Sequence, residues 1–382
     1  MPTNIALLGS TGSVGRQTLD VIKRLPELFK VVCLAAGANV DLLERQVCEH
    51  QPALVVSGKA LSATVTAEVL PSSPESLIAA ATHPEVDLVV FAMSGHDGIA
   101  ATIAAIEAGK QVAIANKEAI VCAGDIIMPL AARHGITIRP VDSEHSAIWQ
   151  SMASGDHDEV RRIIVTASGG PFRTTPPDQL AHVTVEQAMK HPTWSMGGKI
   201  TVDSATLVNK GLELIEAHHL FAMPFDQIDI VIHPESIVHS LVEFVDGSTI
   251  AQLNQPDMRL PIQYALTWPL HHPSPVTGLN LAQIGSLTFE EPDEGRFPAI
   301  RLAREAGQSG KTYPTVYSAV DEIAVNAFTT GRLRFTGIPR LIETVLSRHS
   351  ATPVTSLDDV LEADQWARRE ATLLLREIAT AN

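Results

Sequence analysis

The chain has 382 residues, 45% hydrophobic and 19% charged, an ordinary globular composition with apolar material for two or three domains. A net charge of −15 argues against broad binding to nucleic acid or anionic membranes, yet local cations and helix N-termini can still hold a small phosphorylated ligand. Three widely spaced cysteines form neither a disulfide framework nor a thiolate zinc site, which predicts a reducing, cytoplasmic setting. The opening M-P-T-N-I-A-L-L-G-S has no basic n-region, and no 18-residue apolar run predicts a membrane span.

In chain order, residues 5–8, 31–35, 54–56, 88–92, 111–115 and 137–141 are short apolar runs that predict strands. The segments between them, including 17–24, 42–48 and 99–107, carry apolar residues at helical spacing. This alternation predicts a doubly wound, mostly parallel α/β sheet. Beyond residue 143 the texture becomes α+β. Strands are predicted at 162–166 and 228–233, a polar Pro-rich stretch at 171–192 and a long helix at 205–220. A hairpin is predicted at 237–245 and 249–253, turning on Asp246-Gly247-Ser248. Residues 268–294 read as a long connection, and 298–379 as an all-α region.

G-S-T-G-S-V-G at 9–15 follows the first strand and opens a helix, as a dinucleotide-binding turn does. Its glycines let backbone approach a pyrophosphate that rests on the helix N-terminus. The alternative is a tight strand–helix turn with no ligand. The second strand ends A-A-G-A-N, without the acidic residue that takes the ribose 2′-OH of NAD. The sequence therefore leans towards NADP, although no Arg or Lys stands there either.

Ligands of open α/β sheets bind beyond the carboxyl ends of the strands. Two later strands run into Asn116-Lys117-Glu118 and Asp142-Ser143-Glu144-His145. Were the latter extended, Asp142 and Glu144 would share a face and could hold Mg²⁺ or Mn²⁺. The alternative is a solvated acidic turn capping a helix at 147–152. In V-D-S-A-T-L-V-N-K-G-L-E-L-I-E, Ser204 is placed to start a helix, and Asn209, Lys210 and Glu213 crowd one helical face. With Ser168 in S-G-G-P they could form a phosphate pocket, Glu213 adding a third carboxylate for the metal. An isolated Lys210–Glu213 surface pair would mean little. Trp194 and Met196, in K-H-P-T-W-S-M-G-G-K, suit a lid hinged at Gly197-Gly198, or a loop pinned by its Trp. His191, His233 and His239 could each be merely structural.

Six motifs occur together: G-S-T-G-S-V-G, A-N-K-E, P-V-D-S-E-H-S-A, T-A-S-G-G-P-F, H-P-T-W-S-M-G and V-D-S-A-T-L-V-N-K-G-L-E. In this order and spacing the sequence closely resembles the 1-deoxy-D-xylulose 5-phosphate reductoisomerase family, essentially over the whole chain. The resemblance implies a homodimer acting on a small sugar phosphate with NADPH and one divalent cation, Mg²⁺, Mn²⁺ or Co²⁺. It implies a Rossmann-like NADPH domain at 1–142 and a catalytic and dimerisation domain at 143–266. A linker at 267–293 and a helical domain at 294–382 follow.

By motif, Thr11, Gly12, Ser13 and Val14 would hold the NADPH pyrophosphate, and Gly37, Asn39, Asn116, Glu118 and Gly197 would also touch the cofactor. Asp142, Glu144 and Glu213 would ligate the metal. Lys117, Ser143 and Glu144 would stand at the reacting atoms. Ser168, His191, Ser204, Asn209 and Lys210 would contact the substrate, with Trp194 and Met196 as the flap. No role is assigned to His145.

Two positions depart from the family. Ala38 stands where many members have a basic or polar residue beside the 2′-phosphate. S-A-V-D-E at 318–322 replaces N-A-A-N-E, which predicts altered helix packing and unchanged chemistry. The rival readings are an NADP-dependent aldehyde or semialdehyde dehydrogenase, and a non-enzymatic dinucleotide sensor.

Overall fold

The computed structural model describes residues 1–62, 66–194 and 196–381. The chain forms two compact units. The first comprises Met1–Ile120, Asp125–Ser146 and Asp257–Thr277, and the second Val121–Gly124, Ala147–Pro256 and Gly278–Asn382.

In the first unit β1 (Thr3–Leu8), α1 (Ser13–Arg24), β2 (Phe29–Ala36), α2 (Val40–His50), β3 (Leu54–Ser57) and β4 (Glu68–Pro71) build one half. It continues through α3 (Pro74–Ala81), β5 (Leu88–Phe91), α4 (Gly98–Glu107), β6 (Gln111–Ile114), α5 (Lys117–His134), β7 (Ile138–Pro140) and the start of α6 (Ser143–Met152). Seven parallel strands run β4-β3-β2-β1-β5-β6-β7. The order reverses between β1 and β5, which creates the crevice where such folds bind ligands. Six strands lie where the apolar runs predict them. The seventh, β4, escapes the pattern because E-V-L-P is a short, mostly exposed edge strand with a proline at its end.

The core of this unit sets Ile5, Leu7, Val31, Leu34, Leu88 and Val90 against Leu19 and Ile22 of α1. Burying each such side chain contributes about 1.5–3 kcal/mol. α11 (Arg259–Thr267) belongs to the same core through Ile262, Ala265 and Leu266, and Arg259 pairs with Asp20 of α1.

The second unit holds β8 (Val160–Ala167), the short helices α7 (Pro177–Leu180) and α8 (Val185–Ala188), α9 (Gly198–Thr206) and α10 (Val208–Phe221). Then come β9 (Ile228–Ile232), β10 (Val238–Phe244), β11 (Thr249–Leu253) and α12 (Leu281–Ile284). Its sheet runs β11-β10-β8-β9, with β8 and β9 parallel and the other pairs antiparallel. The predicted hairpin is present: Asp246 Oδ1 accepts the Ser248 N–H at 2.8 Å, and Gly247 takes φ 86°. The helical region is α13 (Ala299–Ser309), α14 (Tyr313–Thr329), α15 (Gly337–Arg348) and α16 (Leu357–Ala381).

The single helix expected at 205–220 is two. Leu207 adopts φ 60°, ψ 14°, ending α9 and starting α10. This conformation costs a side-chain-bearing residue about 1–2 kcal/mol, and Leu207 keeps it while 4% exposed. Gly211 explains how α10 approaches its neighbours, since a Cβ there would lie 2.6 Å from the Tyr317 hydroxyl and 2.7 Å from Ala303 Cβ.

Candidate active site

In the first unit, the turn after β1 is fixed by close backbone approach. A Cβ on Gly9, whose φ is 96°, would lie 2.6 Å from Ala92 at the end of β5, and one on Gly15 would lie 2.2 Å from the Gly9 carbonyl. Gly12 is the N-cap of α1 and offers no side chain to its first-turn N–H groups. Backbone donors at a helix N-terminus, beside Thr11, Ser13 and Val14, fit a pyrophosphate. Sequence reasoning missed Gln46, which braces this loop: Ser10 Oγ donates to Gln46 Oε1 at 2.8 Å, and Gln46 Nε2 donates to the Ser10 carbonyl at 2.9 Å.

Beyond β2, Gly37 is exposed, and Asn39 caps α2 by accepting the Leu42 N–H at 3.2 Å. Beyond β6, Asn116 is fully buried. Its Oδ1 accepts the Ala119 N–H at 2.7 Å, and its Nδ2 donates to the carbonyls of Met93 and Gly95 at 3.0 and 2.9 Å. Its side chain therefore ties the exit of β5 to the start of α5. Glu118 lies buried in the first turn of that helix.

Asp142 and Glu144 do not lie on an extended segment, as the face-sharing argument assumed. α6 begins at Ser143, so Asp142 immediately precedes the helix and Glu144 sits in its first turn. The helix start is explained by the Ser146 N–H, which donates to the Asp142 carbonyl at 2.8 Å. Lys117 Nζ donates to Asp142 Oδ2, and Ser143 Oγ donates to Glu144 Oε2 at 2.6 Å. His145 is fully buried, with Nδ1 3.9 Å from Asp142 Oδ2. Hard carboxylate oxygens next to an ammonium suit a divalent cation and an anionic ligand.

In the second unit, three predicted residues from distant segments converge. His191 Nε2 lies 3.0 Å from Ser168 Oγ and 3.1 Å from Ser204 Oγ. Its Nδ1 accepts the backbone N–H groups of Thr193 and Trp194 at 3.2 and 2.9 Å. Burial holds its pKa below the usual histidine value, so the ring is neutral near pH 7. Because Nδ1 accepts twice, the proton belongs on Nε2 and points at the two hydroxyls. Ser204 does not start a helix, as was expected; it lies near the end of α9, and Gly197 is that helix's N-cap.

On α10, Asn209 Nδ2 donates to Glu213 Oε1 at 2.5 Å and Lys210 Nζ donates to Glu213 Oε2, so the expected one-face grouping is present. Leu214 and Ile215 face the core.

Trp194 is half-buried, its ring 6.2 Å edge-on from His239, and Met196 is half-buried as well. Ser195 between them lies outside the described residues. His233 is structural: its Nδ1 donates to the Thr288 carbonyl at 2.8 Å, while Nε2 accepts from the N–H groups of Ile237 and Val238, each at 3.1 Å. The departure at 318–322 places Asp321 in the core, where Lys199, two residues beyond Gly197, pairs with it at 2.6 Å and with Asp203 at 2.7 Å.

A glycine-bound crevice at the switch point of a parallel sheet marks a Rossmann-type oxidoreductase, and the chain carries a second, α+β unit besides. Family models described as 1-deoxy-D-xylulose 5-phosphate reductoisomerase match residues 5–124 and, for its C-terminal domains, 138–221 and 253–370. A protein of that name from Thermomicrobium roseum is 52% identical over 98% of both chains. One from Pelotomaculum thermopropionicum is 51% identical over 98% of this chain and 99% of its own. Among solved structures, the Zymomonas mobilis enzyme in complex with NADPH is 41% identical, with a TM-score of 0.91 over 98% of this chain and 99% of its own. A complex with NADPH, fosmidomycin and magnesium is 38% identical, with a TM-score of 0.92 over 99% of both chains. The chain belongs to the 1-deoxy-D-xylulose 5-phosphate reductoisomerase family.

Proposed function

We propose that the protein carries out the family reaction, rearranging 1-deoxy-D-xylulose 5-phosphate and reducing the resulting aldehyde to 2-C-methyl-D-erythritol 4-phosphate in non-mevalonate isoprenoid biosynthesis. The observation that carries this reading beyond family membership is the His191 Nε2–H aimed between Ser168 and Ser204. A neutral donor flanked by hydroxyls suits the phosphate of a sugar, with Lys210 adding charge and Asn209 an amide.

Asp142, Glu144 and Glu213 hold one divalent cation, Mg²⁺ with Mn²⁺ and Co²⁺ as substitutes. In support, each carboxylate now takes an ammonium or hydroxyl contact that a metal would replace. The bound cation supplies Lewis-acid polarisation of the substrate carbonyl and adjacent hydroxyl, and NADPH supplies hydride. Lys117, Ser143 and Glu144 orient the reacting oxygens and stand ready to move protons between them. Thr11, Gly12, Ser13 and Val14 receive the pyrophosphate, with Gly37, Asn39, Asn116, Glu118 and Gly197 lining the rest of the cofactor path. Trp194 and Met196 exclude water as the flap, and His191 anchors that segment through the N–H groups of Thr193 and Trp194. Binding energy from the phosphate, remote from the reacting carbons, favours flap closure.

The division at 142, 266 and 293 assigns cofactor binding, catalysis with dimerisation, linker and helical support, except that residues 257–277, α11 among them, pack with the first unit. The homodimer forms through β11, an edge strand of the sheet that exposes Ile250, with the exposed Val245 just beyond the end of β10. No helix among the described residues is long and apolar enough to cross a membrane.

The deciding experiment follows NADPH oxidation with 1-deoxy-D-xylulose 5-phosphate and Mg²⁺ or Mn²⁺, with and without EDTA. Turnover that persists after metal removal favours the dehydrogenase alternative. No turnover under any condition, with NADPH still bound, favours the sensor.

A further inference from the structure

We infer that Lys59 supplies the cation that selects the 2′-phosphate of NADPH; the inference rests on the cofactor reading above and deepens it. The end of β2, where a dinucleotide's adenosine ribose lies in this fold, reads Gly37-Ala38-Asn39 and offers no charge. The neighbouring strand offers one. β2 and β3 pair in parallel with Ala36 opposite Ser57, and the Gly58 N–H donates to the Ala36 carbonyl at 3.2 Å. The two exits are in close contact, since a Cβ on Gly58 would lie 2.3 Å from the Gly37 carbonyl.

Lys59 follows directly. Its backbone is pinned by Ser57, whose Oγ donates to the Lys59 carbonyl at 2.7 Å and accepts its N–H at 3.3 Å. The residue is exposed, as are Gly37, Ala38 and Asn39. No carboxylate among the described residues pairs with its ammonium. The acids nearest in sequence are Glu49, which pairs with Lys23 at 2.6 Å, and Glu68 at the start of β4; on α2, Glu44 Oε1 is taken by the Ser62 N–H at 2.5 Å. A fixed backbone carrying an unneutralised ammonium beside an uncharged ribose site is what a 2′-phosphate requires. Arg16, an exposed cation in the first turn of α1, is the competing candidate.

The test compares full-length wild type, K59Q, K59E and R16Q, measuring NADPH and NADH binding by fluorescence and kcat/KM with each coenzyme. K59Q should weaken NADPH binding roughly 10–100-fold, the scale of one hydrogen bond to a charged group, and change NADH binding less than twofold. K59E should weaken NADPH binding further still. Equal losses for both coenzymes, no loss in K59Q, or an NADPH-selective loss in R16Q instead would each overturn the assignment. So would a wild type that binds the two coenzymes alike. Failure to turn over the sugar phosphate would sink the proposed reaction, and the binding comparison would still decide the role of Lys59.

Discussion

Lys210 and Glu213 face each other across one turn of α10, ammonium against carboxylate, with side chains 4% and 1% exposed. A pair so deeply buried is costly to build, and removing one partner costs more than deleting a surface pair. Structure alone gives little reason to keep it, whereas a site that binds a cation and a phosphate side by side needs both charges. Glu213→Gln keeps the shape and one acceptor, so the fold should persist with a loss of about 1–3 kcal/mol. Metal-dependent turnover should fall at least about 100-fold. Wild-type kinetics in this variant would refute the three-carboxylate assignment.

Lys210→Ala should act on the substrate and spare the coenzyme. KM for the sugar phosphate should rise roughly 10–100-fold while KM for NADPH stays within twofold. A variant that lost NADPH affinity at constant substrate KM would show the phosphate pocket to be elsewhere.

His191→Ala should do two things together. Substrate KM should rise about tenfold with the loss of the Nε2 donor, and amide exchange at Thr193 and Trp194 should quicken because Nδ1 no longer accepts their N–H groups. Hydrogen exchange followed by mass spectrometry measures the second effect. A KM change without it would separate the pocket from the flap.

His219 sets an acid limit on stability. Burial, with His218 beside it, pushes its pKa from 6.5 down to about 4, and a Cβ on Gly124 would lie 2.3 Å from its ring. The folded state favours the neutral ring. Its contribution is therefore complete above pH 6.5 and is lost as pH falls from 6.5 towards 4, by on the order of 3 kcal/mol. His219→Gln should flatten denaturant-unfolding free energy against pH in that window. An unchanged slope would mean other groups carry the acid sensitivity.

Much of the fold is legible in the residues because its signals are local. Apolar runs marked six parallel strands, the glycine turn marked the dinucleotide crevice, and Asp246-Gly247-Ser248 marked the hairpin. The grouping of Asn209, Lys210 and Glu213 followed from helical spacing alone. β4 went unseen because an exposed edge strand has no apolar signature. The break at Leu207 went unseen because a left-handed leucine is held by its surroundings and has no local sequence signal.

The sequence by itself determined the fold class, the candidate residues and the family, since motif order and periodicity are properties of the chain. Only the tertiary structure brought Ser168, His191 and Ser204 together and fixed the His191 tautomer, both being consequences of which backbone groups surround the ring. It also turned Asn116 into a brace between β5 and α5, moved Asp142 and Glu144 from an extended segment to a helix start, and set Lys59 beside the empty-handed end of β2. Hydrogen-bond partners far apart in sequence are chosen by strand order and helix crossing, which no local pattern encodes.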